Sequence, residues 1–142
     1  MSKAHAQVVA AIIVNIHNHI LITRRPAHSH LGGLWEFPGG HMETNETPEQ
    51  ALQREILEEV DLCVTVHDVL GRESMEYDEK VVHIAFYRCR PVDPEARPRA
   101  LQVADYRWIA LDALDDYAFP KADHRIIRKL MAEGRKTGVR NK

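Results

Sequence analysis

Cysteine is scarce in this chain. Cys63 and Cys89 are the only two, far apart and outside any CxxC spacing, which argues against a disulfide-stapled scaffold and favours a reducing compartment. An excess of charge of one sign is lacking as well. The formal net charge of -2 offers no general attraction to a nucleic-acid polymer or an anionic membrane, so any polyanion must be held by a local cluster of cations. No apolar run approaches the roughly 20 residues that span a bilayer. The N-terminal MSKAHAQVVAAIIV, with one lysine and a short apolar stretch, reads as a strand rather than a signal peptide. Internal repeats and low-complexity linkers are missing too. What remains is a 142-residue chain, 44% hydrophobic and 28% charged, with length for one core. The expectation is a single cytoplasmic domain, 1–142, without a nucleic-acid polymer or a membrane as partner.

The β-branched run 7–14 predicts a buried strand, and Asn18-His19 a turn into a second strand, Ile20 to Arg24, so that the two form a hairpin. Pro26 to Gly33 reads as a loop, and a short apolar element, Leu34 to Phe37, leads into Pro38-Gly39-Gly40. Thr47 suits an N-cap, Pro48 the first helical position, and Gln50 completes a capping box, predicting a helix to about Val60. Strands are expected at 63–70, at 81–89 with the alternation Val82, Ile84, Phe86, and near Tyr106–Ile109. Pro91 to Pro98, with three prolines, is a loop. A last helix from about Ala122 to Glu133 should stop at Gly134, leaving a frayed basic tail over about 134–142. Strands around one central helix, with a second helix at the end, predict an α/β/α sandwich with a mixed β-sheet.

Glu55, Glu58 and Glu59 stand at i, i+3 and i+4 of the predicted helix and share a face. Leu52, Ile56 and Val60 form its apolar stripe, and Glu59 lies beside that stripe, whereas a purely solvating cluster would lie opposite it. Like charges at this spacing repel by a few tenths of a kcal/mol per pair, and a hard divalent cation relieves that repulsion. Carboxylate oxygens suit magnesium or manganese. Pro38-Gly39-Gly40 lies just upstream, where a chain without side chains can approach an ion and offer a carbonyl. Arg54 can orient a carboxylate bidentately, and Glu46 is a supporting partner behind the ligands.

These residues carry a resemblance. Gly40, five residues, Glu46, seven residues, then Arg54-Glu55-Ile56-Leu57-Glu58-Glu59 with Leu62 behind is similar to the Nudix box, G-x5-E-x7-R-E-U-x-E-E-x-G-U, U being apolar. Asp61 stands where the family has glycine, and Asp tolerates a left-handed conformation. The resemblance implies a Nudix-type α/β/α sandwich and a magnesium-dependent hydrolase (manganese also serves) of nucleoside diphosphate derivatives. It implies Glu55, Glu58, Glu59 and the Gly39 carbonyl as metal ligands, with Arg54 alongside; Glu55 and Glu58 are both candidates for the base.

Ile20-Leu-Ile-Thr-Arg-Arg25, Trp35-Glu-Phe-Pro-Gly-Gly40 and Phe119-Pro-Lys-Ala-Asp123 resemble the MutT-like nucleoside triphosphate pyrophosphohydrolases of that family. This implies conversion of a triphosphate to a monophosphate and pyrophosphate, in sanitising the nucleotide pool of 8-oxo-dGTP-type or CTP/dCTP-type substrates. A non-catalytic nucleotide sensor, or a hydrolase of another nucleoside diphosphate derivative, are the alternatives. Of the adjacent Arg24 and Arg25 one reaches the phosphates, because strand neighbours point to opposite faces; the resemblance favours Arg25. Phe37 is a candidate for stacking on the base and Asp123 for reading it, though Asp123 also suits a helix cap. An ionised Asp only accepts hydrogen bonds, which suits an exocyclic amine such as that of cytosine, or a ring N–H such as the one 8-oxoguanine gains. Relatives often carry a glutamate six residues before the tryptophan equivalent to Trp108; this chain has Gln102 there, with Asp105 nearby. The protein would act as a monomer or homodimer.

Overall fold

The computed structural model describes residues 2–140, with side chains as far as residue 135. Strands β1 (Ala4–Ile13), β2 (His19–Arg24), β3 (Trp35–Glu36) and β4 (Gly39–His41) precede helix α1 (Pro48–Val60). Strands β5 (Val64–Glu76), β6 (Lys80–Pro91) and β7 (Asp105–Ala110) follow, and helix α2 (His124–Arg140) closes the described chain. Two sheets form. One is mixed, in the order β4-β1-β6-β5, with β1 parallel to β6; the other is antiparallel, β3-β2-β7.

Alternation along β1 builds the sandwich. Val9, Ala11 and Ile13 join Leu52, Ile56 and Val60 of α1 in one core cluster. Ala10 and Ile12 face the other way and join Ile126, Ile127 and Leu130 of α2. A period of two in β1 and β2 thus buries both faces of the strands, each beneath its own helix. The predicted α/β/α architecture and its mixed sheet are what the chain forms.

The expected hairpin needs correction. Asn18 adopts a left-handed turn conformation (φ 61°), and Asn15 Oδ1 accepts from the His17 and His19 backbone N–H groups at 3.0 Å each. Beyond that turn, pairing is confined to a single bridge, Val14–Ile20. Over Val8–Ala10 both edges of β1 are taken, by β4 on one side and β6 on the other.

The capping box forms as predicted. Thr47 Oγ1 accepts from the Gln50 N–H at 3.1 Å and Gln50 Oε1 accepts from the Thr47 N–H at 3.0 Å. Asp61 closes α1 in the left-handed region (φ 55°, ψ 44°), its N–H donating to Leu57 O at 3.1 Å, the conformation that glycine would adopt more cheaply.

Gly134 does not stop the last helix. α2 runs through it to Arg140, and a Cβ at Gly134 would lie 2.7 Å from Leu111 Cβ. Glycine serves close packing there, at the cost in helix propensity that glycine carries. Of the tail expected to fray, Asn141 and Lys142 lie outside the described residues. Among the described residues no helix is long and apolar enough to cross a membrane.

Candidate active site

The site is assembled from β4, the loop before α1, the second half of α1 and the strand pair β2–β3. Glycine is required at two places for different steric reasons. A Cβ on Gly39 would meet the Val9 carbonyl oxygen and lie 2.8 Å from Ala10 Cα, so this position lets β4 lie close to β1. A Cβ on Gly40 would lie 2.5 Å from Glu55 Cδ. Gly40 therefore opens the space in which the Glu55 carboxylate sits.

Arg54 is the hub. Its Nε donates to Glu46 Oε2 at 2.6 Å and its Nη2 to Glu46 Oε1 at 2.9 Å, while Nη1 donates to Glu55 Oε1 at 2.8 Å. Nη2 also reaches the His41 carbonyl at 3.1 Å. One planar fork thus ties the loop before α1, the helix and β4 together, which an ammonium could not do. Arg54 and a second hydrogen bond from the Glu43 N–H hold the Glu46 carboxyl down at about 2, and the hydrogen bonds to Glu46 and then Glu55 in turn raise Arg54.

The three helix carboxylates have different surroundings. Burial pushes the Glu59 carboxyl up to about 9. A hydrogen bond shared with Glu55 and the charges of Glu36 and Glu55 add to that, while the Gly39 N–H pulls it down. Glu58 is 46% exposed, its nearest cation being Arg54 Nη1 at 3.6 Å. The structure thus brings Glu55 and Glu59 together beneath Gly39 and Gly40 and leaves Glu58 at the rim. Among the described residues no three His, Cys, Asp or Glu side chains converge into a ready-made metal cage.

Of the two arginines, Arg25 faces the site. It shares a strand face with Leu21 and Thr23, and Thr23 pairs with Glu36. Arg25 Nη1 donates to Glu36 Oε1 at 2.8 Å and its Nε to the His30 carbonyl at 2.6 Å. Arg24 is diverted to the other face, where its Nε donates to Gly33 O at 3.0 Å and its guanidinium lies 5.9 Å from the Trp35 ring centre.

Glu36 is the residue that sequence reasoning missed. Burial raises its carboxyl, Arg25 opposes the rise, and its charge is felt at both Glu59 and Asp123. The alternation of Trp35, Glu36 and Phe37 was the available signal, since it turns a carboxylate away from two buried aromatics.

Two expectations about the base end change. Phe37 is 4% exposed and packs against Phe119 (ring centres 5.1 Å apart) and Phe86 (6.3 Å). Its ring is core and offers no open face for stacking. Asp123 is 8% exposed, and burial followed by the Glu36 charge pushes its carboxyl up to about 7. A carboxyl raised to about 7 retains a proton in part near neutrality, and in that form it can donate as well as accept. No donor among the described residues reaches its side chain, so it does not act as a helix cap.

The loop after β6 is also placed. The backbone N–H groups of Leu101 and Gln102 donate to the Glu59 carbonyl at 3.0 and 3.1 Å, and that of Arg99 to the Val60 carbonyl at 2.8 Å. Asp105 is turned to its own neighbours, accepting from the Tyr106 N–H at 2.8 Å with Arg107 Nε at 3.7 Å. Gln102, not Asp105, is the residue docked against the carboxylate helix.

Residues 9–129 match the family model of the NUDIX domain. The 8-oxo-dGTP diphosphatase of Escherichia coli is 36% identical over 124 residues, covering 87% of this chain and 95% of that protein. The CTP pyrophosphohydrolase of Escherichia coli is 41% identical over 78 residues, covering 55% of this chain and 57% of its own. The solved structure of the MutT protein of Staphylococcus aureus, described as of the Nudix hydrolase family, superposes with a TM-score of 0.73 at 35% identity, over 94% of this chain and all of that one. By the family-model match and these relatives, this chain belongs to the NUDIX domain family and is a MutT-like Nudix hydrolase.

Proposed function

We propose that this protein hydrolyses nucleoside triphosphates to a monophosphate and pyrophosphate, clearing damaged or surplus nucleotides from the cytoplasmic pool. The relatives named for 8-oxo-dGTP and CTP hydrolysis support the substrate class. The observation that carries the chemistry is the pairing of Glu55 with half-buried Glu59 under Gly40, with only one edge of Glu55 neutralised by Arg54.

That arrangement fits a divalent cation. A carboxyl lifted to about 9 by burial and like charges lacks a positive partner of its own, and the donors are all hard oxygens. Glu55, Glu58, Glu59 and the Gly39 carbonyl are the residues to hold magnesium or manganese. The lack of a closed cage agrees with magnesium's habit of keeping waters and substrate oxygens among its ligands. A bound magnesium would spread charge from the phosphate oxygens and lower the pKa of the attacking water.

The chain's own groups divide the remaining work. Arg25, steadied by Glu36 and the His30 carbonyl, offers its free guanidinium edge to a phosphate. Glu55 is pinned by Arg54 and has little freedom. Glu58, half-exposed at the rim, is the better placed to orient water and accept its proton. Asp123 reads the base, and its ability to donate as well as accept keeps guanine and cytosine derivatives both in play.

Incubation with magnesium and 8-oxo-dGTP, dCTP, CTP and 5-methyl-dCTP, followed by product separation, tests the reading. Monophosphate and pyrophosphate are expected, and Glu58→Gln should lose most turnover while remaining folded. Release of free phosphate, or tight binding of nucleotides without turnover, would refute it; the second result would point to a sensor module.

A further inference from the structure

On the α2 side of the mixed sheet, cover by the helix is incomplete. Ala10 and Phe86 are buried there, but Val8, Val82 and Ile84, further along the same strands, are only half-buried. The register aligns them on one face, Val8 beside Ile84 and Ala6 beside Val82. This leaves an apolar floor beyond the first turn of α2. Asp123, in the short turn that leads into α2, is a carboxyl 8% exposed with no hydrogen-bond donor among the described residues.

β5 supplies the neighbouring wall. A Cβ at Gly71 would lie 3.0 Å from Ile126 Cδ1, so the α2-facing side of β5 carries Gly71, Glu73 and Met75. Glu73 is directly opposite Ile84 in the register, which puts its carboxylate on the same face as the apolar floor. Its side chain is 19% exposed, and Glu73 Oε2 lies 3.3 Å from Nε of Arg125, itself 77% exposed. That single contact leaves Glu73 Oε1 and both terminal nitrogens of Arg125 without a partner among the described residues. A carboxylate next to an apolar floor, with acceptor capacity unused, is poised to receive hydrogen bonds from something that lies on the floor.

We infer that Glu73 and Arg125 form a second polar wall of the nucleobase pocket and set base preference together with Asp123. Glu73 accepts from a ring N–H or exocyclic amine, and Arg125 donates to a carbonyl or ring nitrogen. The flat base lies over Val8, Val82 and Ile84. This rests on the nucleoside triphosphate reading above.

The test compares Glu73→Gln and Arg125→Ala with the unchanged protein. kcat/KM is measured with magnesium for 8-oxo-dGTP, dGTP, CTP and dCTP, and dissociation constants are measured calorimetrically for the α,β-methylene analogues of dGTP and dCTP. Each substitution should change the guanine-to-cytosine ratio by about tenfold or more, as loss of a base contact does. Thermal midpoints should stay nearly unchanged, because an ion pair this exposed contributes little to stability. A common factor across all four nucleotides, or no change, overturns the inference. If the unchanged protein turns over none of them, the proposed reaction fails by itself, and the analogue affinities decide. A base-dependent shift then upholds the second wall; a uniform shift, or no binding, overturns it.

Discussion

Arg54 grips Glu46 through two parallel hydrogen bonds, 2.6 and 2.9 Å long, and with its remaining nitrogen holds Glu55 at 2.8 Å. The loop before α1 and the carboxylate beneath Gly40 therefore take their positions from one guanidinium. Because Glu46 is held down at about 2, its contribution is present above the usual carboxylate range and is lost only as pH falls through that value. The grip survives mild acid.

Lysine would keep the charge of Arg54 but not the fork. Arg54→Lys is expected to lower kcat by about 10- to 100-fold, the range for partners that orient metal ligands, with a thermal midpoint only a few degrees lower. Steady-state kinetics at saturating magnesium checks this. A variant with unchanged kcat would remove Arg54 from the machinery.

The two glycines of β4 should respond differently to the same substitution. In Gly40→Ala the new Cβ meets the end of a flexible side chain, Glu55, at 2.5 Å. The carboxylate can swing away, so folding should persist while kcat/KM falls by at least about tenfold, displaced ligands being costly to metal sites. In Gly39→Ala the new Cβ meets the backbone of Val9 and Ala10, which cannot yield without breaking the β1–β4 pairing. That variant should show a much lower thermal midpoint. Calorimetry and activity on both variants would expose the error if Gly40→Ala were the less stable of the two.

Asp123 makes stability depend on pH in a defined direction. Its carboxyl lies at about 7 in the fold and near 3.9 in an unfolded chain. The folded state binds the extra proton, so the contribution is full below about 4 and is lost as pH rises through about 7. Asp123→Asn has no proton to lose. Relative to the unchanged protein it should melt several degrees higher at pH 8, with the gap closing toward pH 4. Melting curves from pH 4 to pH 8 measure this, and parallel curves would show that Asp123 is not the group responsible.

Much of the active helix was legible in the residues because its determinants are local. The capping box, the stripe of Leu52, Ile56 and Val60, and the i, i+3, i+4 spacing of the glutamates each depend on neighbours within a turn or two. The grip of Arg54 on Glu46 was not legible in the same way, because the two stand eight residues apart and meet only where the loop before α1 lies against the helix. The hairpin between β1 and β2 failed for a like reason. Which partner takes each edge of a strand is settled by distant segments, here β4 and β6. Gly134 misled in the same way: its role is contact with Leu111, invisible from a list of helix stop signals.

By itself the sequence determined that strands bury both faces around a helix bearing three aligned carboxylates, because side-chain period and cap chemistry are written residue by residue. Only the tertiary structure decided that Glu59 is driven up by burial while Glu58 stays at the rim, that Phe37 is core, and that the charge of Glu36 is felt at both Glu59 and Asp123 from a separate segment. Burial and the field of remote charges depend on what folds over a residue, and that is a property of the packed chain rather than of its order.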